Sequence, residues 1–322
     1  MNHLIIAFLF FFSLENAYST AFIEESFWIK NPDEETLKLL KSRPELTIDH
    51  LTPNGFELYG PMGLGKFLKQ NSINFSPLQT LSLQSIGNYP TPDEIERELK
   101  NIAQQFPNIT KLYSIGKSVK KRDLWVMKLS RNAKIDDDRP EFKYVANMHG
   151  DEIVGRELLM RFIKECTSLY GIDPRLTNLL DKFQISILVS MNPDGAAAGT
   201  RANAKKIDLN RDFPDFTTTD NIDKIDNRAP ETQAVMKWQS EHHFQLSANF
   251  HGGSEVVNYP WDTSPNRFPE EDLVKSLSRE YAQNAPYIAA STTFQNGITN
   301  GYAWYEVNGG MQDWSRSEEP RL

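Results

Sequence analysis

Apolar and polar residues follow two different periods along this chain, and each change of period marks an element. Residues 22–85 hold no sustained period. They are rich in Asn, Ser, Pro and acidic residues, with short apolar pieces such as Phe27-Trp28-Ile29, and read as a loosely packed extension. From residue 88 the pattern sharpens. Thr91-Pro92-Asp93-Glu94 has the form of a capping box with proline at the first helical position. Ile95, Leu99, Ile102, Ala103 and Phe106 then recur on one helical face, so a helix is expected up to Pro107. Residues 124–129, 142–148 and 183–190 read as strands. The last is apolar without a break, as a sheet buried on both faces requires. A helix is expected over 151–169, lined by Ile153, Val154, Leu158, Phe162 and Ile163 and closed by Gly171. A further helix at 230–243 leads into a strand at 245–250. Strands alternating with helices predict an α/β fold with a mixed, largely parallel central sheet flanked by helices.

Composition narrows the picture. The 322 residues suffice for one large domain with flanking segments. A net charge of -8 argues against nucleic acid as a partner, since phosphate binding wants a basic face. The apolar run at residues 4–12, followed by Ala17, Ser19 and Ala21, reads as a signal peptide over residues 1–19. It is too short to span a bilayer, and no later stretch is long enough for a transmembrane segment. The expected location is therefore the secretory pathway or outside the cell. There Asn74-Phe75-Ser76 and Asn108-Ile109-Thr110 become glycosylation sequons, at Asn74 and Asn108. Cys166 is the single cysteine, so no intrachain disulfide forms. It falls in a helical pattern without a neighbouring His and reads as a buried structural thiol.

The candidate chemistry lies at two strand ends. His149-Gly150-Asp151-Glu152 follows one predicted strand, and Asn249-Phe250-His251-Gly252-Gly253 contains the end of another. Ligands of open α/β sheets gather at the carboxyl ends of strands, so the two stretches can converge. Glu152, expected in the first helical turn, reaches the same point as His149. Two imidazoles and one carboxylate make a three-donor zinc set with the fourth position open, as a hydrolytic zinc needs. His-x-x-Glu is common by chance, and spacing alone leaves metal and no metal evenly matched. His242 and His243 read as exposed helix-end residues.

The intervening segment changes this balance. It contains Met191-Asn192-Pro193-Asp194-Gly195, Thr200-Arg201-Ala202-Asn203-Ala204 and Ile207-Asp208-Leu209-Asn210-Arg211-Asp212-Phe213-Pro214-Asp215. Together with Leu112-Tyr113-Ser114-Ile115-Gly116-Lys117-Ser118 and Asn308-Gly309-Gly310-Met311-Gln312-Asp313-Trp314, the chain resembles the zinc metallocarboxypeptidases. The likeness is to the regulatory subgroup that includes carboxypeptidases D, E, N and M, and it runs from about residue 86 to Trp314. It divides the chain into a signal peptide (1–19), an extension of unknown role (20–85) and a carboxypeptidase domain (86–322). The resemblance implies that His149, Glu152 and His251 hold one zinc ion and that Arg201 polarises the scissile carbonyl. It implies that Asn210 and Arg211 clamp the substrate's terminal carboxylate and that Tyr305 closes over the terminal residue. A planar guanidinium suits such a clamp; on spacing alone Arg211 would pair with Asp208 or Asp212. Asp262, in Asn258-Tyr259-Pro260-Trp261-Asp262, matches the aspartate that faces the terminal side chain in this subgroup. The implied substrates are peptides and proteins ending in Lys or Arg; the plain alternative for Asp262 is a surface turn.

In one respect the chain departs from the family. After Trp314 the family delivers a general-base glutamate about a dozen residues later. Here the sequence reads Ser315-Arg316-Ser317-Glu318-Glu319-Pro320-Arg321-Leu322. Glu318 and Glu319 come too early, and Pro320 breaks a central strand. The expectation is a C-terminally incomplete domain with one side of its sheet uncovered and little or no hydrolysis. The alternative function is a catalytically inactive zinc- and peptide-binding homologue.

Overall fold

The computed structural model of the protein describes residues 25–43, 45–52, 54–78, 89–215 and 225–318; the expected signal peptide lies outside them. Residues 25–78 are not a loose extension. Strands β1 (Glu25–Lys30), β2 (Thr47–Thr52), β3 (Gly55–Gly60) and β4 (Phe75–Pro77) pair antiparallel in the order β2-β3-β1-β4. Helices α1 (Glu34–Lys41) and α2 (Leu64–Gln70) connect them. Ile29, Leu40, Phe56, Leu58, Leu64 and Leu68 form a core of their own, each contributing about 1.5–3 kcal/mol on burial. Asp33 caps α1 by accepting from the Thr36 amide at 2.7 Å. Gly55 has φ +145°, and a Cβ there would stand 1.9 Å from the Ile29 carbonyl oxygen, so only glycine opens β3.

The larger sheet comprises β5 (Thr110–Lys117), β6 (Asp123–Leu129), β7 (Glu141–Ala146), β8 (Gln184–Leu188) and β9 (Phe244–Phe250), in the order β5-β6-β8-β7-β9. It is mixed, as expected, but only half parallel: β5–β6 and β6–β8 run antiparallel, β8–β7 and β7–β9 parallel. The sequence reading passed over β5. A short turn joins it to β6, and such a hairpin can only be antiparallel. Helices α3 (Pro92–Gln105), α4 (Val154–Leu169) and α5 (Pro174–Lys182) belong to one face, whose core includes Ile95, Leu99, Met127, Ile163, Ile185 and Ile187. After the short α6 (Pro193–Ala198), helix α7 (Pro230–Ser240) supplies the opposite face, where Val126, Val145, Leu188, Val235 and Trp238 pack. β9 forms one edge, with Leu246 and Phe250 only partly buried.

Beyond the sheet lie β10 (Val257–Tyr259), α8 (Glu271–Gln283), α9 (Pro286–Ala289), β11 (Ile298–Asn300), α10 (Gly301–Trp304) and α11 (Met311–Glu318). Trp314 of α11 stacks on Phe213 and completes the α7 face. The Thr91 capping box forms as read, Thr91 accepting from the Glu94 amide and Glu94 from the Thr91 amide. Cys166 is fully buried, and burial pushes its thiol up to about 12. His242 is not merely an exposed helix-end residue: α7 stops at Ser240, and His242 reaches Glu141 at 3.2 Å and stacks on Phe244. Asn74 and Asn108 are both exposed. Among the described residues no helix is long and apolar enough to cross a membrane.

Candidate metal centre

β7 and β9 are hydrogen-bonded neighbours running in the same direction, with Ala146 opposite Phe250. The chain therefore leaves both strands at the same end, which brings His149 and His251 together. The loop after β7 is shaped by Asn147, a fully buried residue at φ +56°. Its side-chain amide donates to the carbonyl oxygens of His149, Gly150 and Glu152 at 2.8, 3.1 and 3.3 Å. This clamp delays α4 until Val154, so Glu152 stands in the loop and not in the first helical turn as expected. Gly150 packs on α6, where a Cβ would lie 2.2 Å from the Gly195 carbonyl carbon.

His149 Nδ1 lies 2.8 Å from Glu152 Oε1 and 3.2 Å from His251 Nδ1, and His251 Nδ1 lies 2.9 Å from Glu152 Oε2. One ligand atom from each residue falls within 4.8 Å of the other two. Donors bound tetrahedrally at zinc distances stand roughly 3.3 Å from one another, so the set fits that ion. Orientation fits as well. His149 Nε2 lies 3.1 Å from Asp208 Oδ1, an arrangement that fixes the proton on Nε2 and leaves Nδ1 with its lone pair. Asp208 entered the sequence reading only as a potential partner of Arg211; its hold on His149 depends on contacts that spacing does not reveal. Asp208→Asn is expected to weaken zinc binding roughly 10–100-fold, read by competition with a chromogenic chelator. An unchanged affinity would remove Asp208 from the centre.

Without a cation, the charges around the set favour a proton on His149. Burial and Arg201 disfavour the charged ring, but Glu152 and Asp208 outweigh them and push it up to about 9. Glu152 is held well below the usual carboxylate range, because the two imidazoles overcome the effect of burial.

Arg201 lies beside the donor set. Fully buried, it donates from Nε to Asp208 Oδ2 at 3.0 Å, approaches Glu152 Oε1 at 3.5 Å and packs over the Tyr59 ring. Its Nη2 pairs with Asp49 of β2, a residue no sequence pattern had singled out. Tyr305 also donates its hydroxyl to Asp49. Arg211 takes the carbonyl oxygens of Asn210 and Ile48, at 2.9 and 3.2 Å. It does not hold Asp208, which His149 and Arg201 occupy, and Asp212 accepts from the Ala229 amide. Asn210 Oδ1 accepts from the Met311 amide at 3.0 Å.

Asp262 is 5% exposed and is no surface turn. Its Oδ1 accepts from Asn258 and Gln312, each at 3.0 Å, and Asp313 accepts from its amide. Burial, then the Asp313 charge, pushes its carboxyl up to about 7. Oδ2 of Asp262 and Oδ1 of Asn210 lie 3.8 and 3.7 Å from where a Cβ on Gly310 would stand, so the two residues share one wall.

Beside Asp49, His50 Nδ1 meets Glu57 at 2.8 Å. Burial opposes its charge, but Glu57 and Asp49 prevail and raise it from 6.5 to about 9. A raised folded-state value means stabilisation that is complete below about pH 6.5 and lost as pH rises through about 9. His50→Gln should therefore destabilise the protein at pH 6 and much less at pH 9.5, read from urea midpoints; an equal loss at both would contradict the charged pairing.

A mixed α/β sheet that presents two histidines and a glutamate at the ends of neighbouring parallel strands has the construction of a mononuclear metallohydrolase. More particularly, residues 95–321 match the zinc carboxypeptidase family, and the chain belongs to it. It is 40% identical to carboxypeptidase SOL1 of Arabidopsis thaliana over 242 residues (73% of this chain, 49% of the relative). It is 42% identical to carboxypeptidase M of Mus musculus over 254 residues (70% and 56%) and 39% identical to carboxypeptidase D of Homo sapiens over 279 residues (79% and 20%). The chain thus spans about half the length of the first two and a fifth of the third. In fold it is similar to the carboxypeptidase A of Helicoverpa armigera, with TM-score 0.72 at 17% identity, over 92% of this chain and 86% of the other. It is likewise similar to thrombin activatable fibrinolysis inhibitor, with TM-score 0.68 at 17% identity, over 91% and 87%. Coverage of that order exceeds what residues 95–321 supply and takes in the N-terminal sheet.

Proposed function

We propose that the protein holds one zinc ion through His149, Glu152 and His251 and removes Lys or Arg from the C-termini of peptides and proteins in the secretory pathway or outside the cell. The observation that carries this reading is the meeting of the three donor side chains at 2.8–3.2 Å with Arg201 against the same carboxylate. When bound, zinc supplies Lewis acidity to the scissile carbonyl and acidifies a water molecule. Arg201 offers a fixed positive charge where the attacked carbonyl oxygen gains negative charge. Asn210, Arg211 and Tyr305 receive the terminal carboxylate, the guanidinium by paired hydrogen bonds. Asp262, on the wall shared with Asn210, faces the terminal side chain; a basic one stabilises its ionised form, and an acidic one is penalised by burial. In the proposed compartment Asn74 and Asn108 carry glycans.

A second reading, peptide binding without turnover, is favoured by the engagement of the carboxylates near the donor set. Asp208 serves His149 and Arg201, Glu152 serves both imidazoles, and Asp49 serves Arg201 and Tyr305. Zinc content and arginine release from a peptide ending in Arg, beside one ending in Glu, separate the readings. Chelator-sensitive release of arginine alone supports peptidase action, and stoichiometric zinc with peptide binding but no release supports the second. A purified chain that takes up no zinc overturns both.

A further inference from the structure

Asp313 has been met so far as a neighbour of Asp262, yet its own bonds are aimed at that residue. It lies in the first turn of α11 and is 3% exposed. Its Oδ1 accepts from the Asp262 amide at 2.8 Å. Its Oδ2 accepts from the amides of Asp262 and Thr263 at 3.0 and 2.9 Å and from the Thr263 hydroxyl at 2.7 Å. These bonds fasten the stretch of backbone from which the Asp262 side chain leaves. The carbonyl side is fastened too. The Tyr302 amide donates to the Trp261 carbonyl oxygen at 2.7 Å, and the Val307 amide to that of Asp262 at 3.2 Å. Gly301 closes the remaining space, since a Cβ there would collide with Asp262 Oδ1.

We propose that Asp313 is the positioning residue behind specificity: it holds Asp262 in place and, as a fixed anion beside it, makes the cationic end of the substrate the counter-charge that Asp262 needs, so that the preference for a basic terminal residue depends on pH. This rests on the reading of Asp262 as the group that faces the terminal side chain. Two buried carboxylates meet in one wall, and every hydrogen-bond partner of either is neutral. The bonds are shared unequally. Asp313 accepts from two amides and a hydroxyl, one amide reaching both of its oxygens, whereas Asp262 accepts from the side chains of Asn258 and Gln312 through one oxygen. Hydrogen bonds to a carboxylate favour its ionised form. Asp313 therefore keeps the negative charge, and Asp262 is the member that gains or loses a proton. Burial pushes both carboxyls up; the bonds from Thr263 and the Asp262 amide oppose this at Asp313, and the Asp313 charge adds to it at Asp262. Among the described residues, the other charges that bear on the pair are Asp49 of β2, which disfavours ionisation of Asp262, Arg211, which favours it, and Asp215, which acts against Asp313. In the proposed function the terminal carboxylate engages Arg211. The terminal side chain is then the cation that this wall lacks.

A cationic ligand favours the ionised form of Asp262, so its affinity rises with pH until that carboxyl is ionised, whereas a neutral ligand of the same shape gains nothing. The test is binding, so it does not depend on turnover. Full-length wild type and Asp313→Asn are loaded with zinc and titrated between pH 5.5 and 8.5 with a fluorescent peptide ending in arginine and with the same peptide ending in citrulline. In wild type the ratio of the two affinities is expected to grow about tenfold from pH 5.5 to 7.5. In Asp313→Asn the ratio should already stand near its upper value at pH 5.5, because the neighbouring charge is gone. A variant that keeps the wild-type pH profile overturns the inference. So does one that loses the ratio at every pH, since Asp313 would then hold the loop and do nothing to the charge. A wild type that prefers arginine equally at every pH sinks the inference alone; one that never prefers arginine sinks the proposed specificity as well. Where Asp313→Asn fails to fold, wild type decides. Calorimetry at pH 6 in two buffers of different ionisation enthalpy should show the arginine peptide releasing close to one proton more than the citrulline peptide, and equal release overturns the inference.

Discussion

His149→Ala protein is expected to retain no stoichiometric zinc after dialysis, where the wild-type chain retains one ion. The substitution deletes one of three donors, and it deletes the one that is best held. His149 is 1% exposed, anchored by Asp208 on Nε2 and turned by the Asn147 clamp beneath its loop. Loss of an outer partner alone costs roughly 10–100-fold in affinity, and loss of a donor costs more, because two donors cannot complete a tetrahedral set. The fold should survive, since Asp208 keeps its hydrogen bond from Arg201. Metal analysis alongside circular dichroism reads both. A variant that still holds one zinc per chain would place the ion elsewhere.

Arg201→Ala should be the most destabilising single substitution in the site, by about 3–5 kcal/mol at pH 7, the scale on which one partner of a buried ion pair is missed. Its guanidinium compensates Asp208, Asp49 and Glu152 together, where the His149 imidazole pairs with Asp208 and Glu152 alone of the three. The sign of the pH dependence follows. Asp49 and Asp208 are held below their ordinary value of 3.8 in the folded protein, burial opposing the shift and Arg201 leading the charges that produce it. A lowered folded-state value gives stabilisation that is present above about pH 4 and lost as pH falls further. Urea unfolding of variant and wild type should therefore converge in acid. A difference under about 1 kcal/mol at pH 7 would mean that the three carboxylates do not depend on Arg201.

Pattern alone located much of this molecule, for a physical reason. A fully buried strand and a helix with one apolar face write their periods over enough residues to be read, as at 183–190 and across Ile95, Leu99 and Ile102. The two histidines were found because sites in such sheets form where strands end. The N-terminal sheet escaped because its elements run three to eight residues, shorter than a window that can separate helix from strand. β5 escaped because Lys111 and Ser114 interrupt its apolar positions. Glu152 was put in a helix because its neighbours suit one, whereas the buried amide of Asn147 holds the loop open by three hydrogen bonds. Asp49 and Asp208 act through partners distant in sequence or hidden in a turn, and no local period encodes that.

The adjacency of β7 and β9 sets the gauge of the centre. Neighbouring strands run about 4.8 Å apart, and the two imidazole rings keep that spacing, with centroids 4.8 Å apart. The strand ladder and the Asn147 clamp therefore hold the donors together before any ion arrives. An aperture with nitrogen donors 3.2 Å apart suits bonds near 2 Å. Calcium, with its longer bonds and appetite for six to eight oxygens, does not match a set of two nitrogens and one carboxylate.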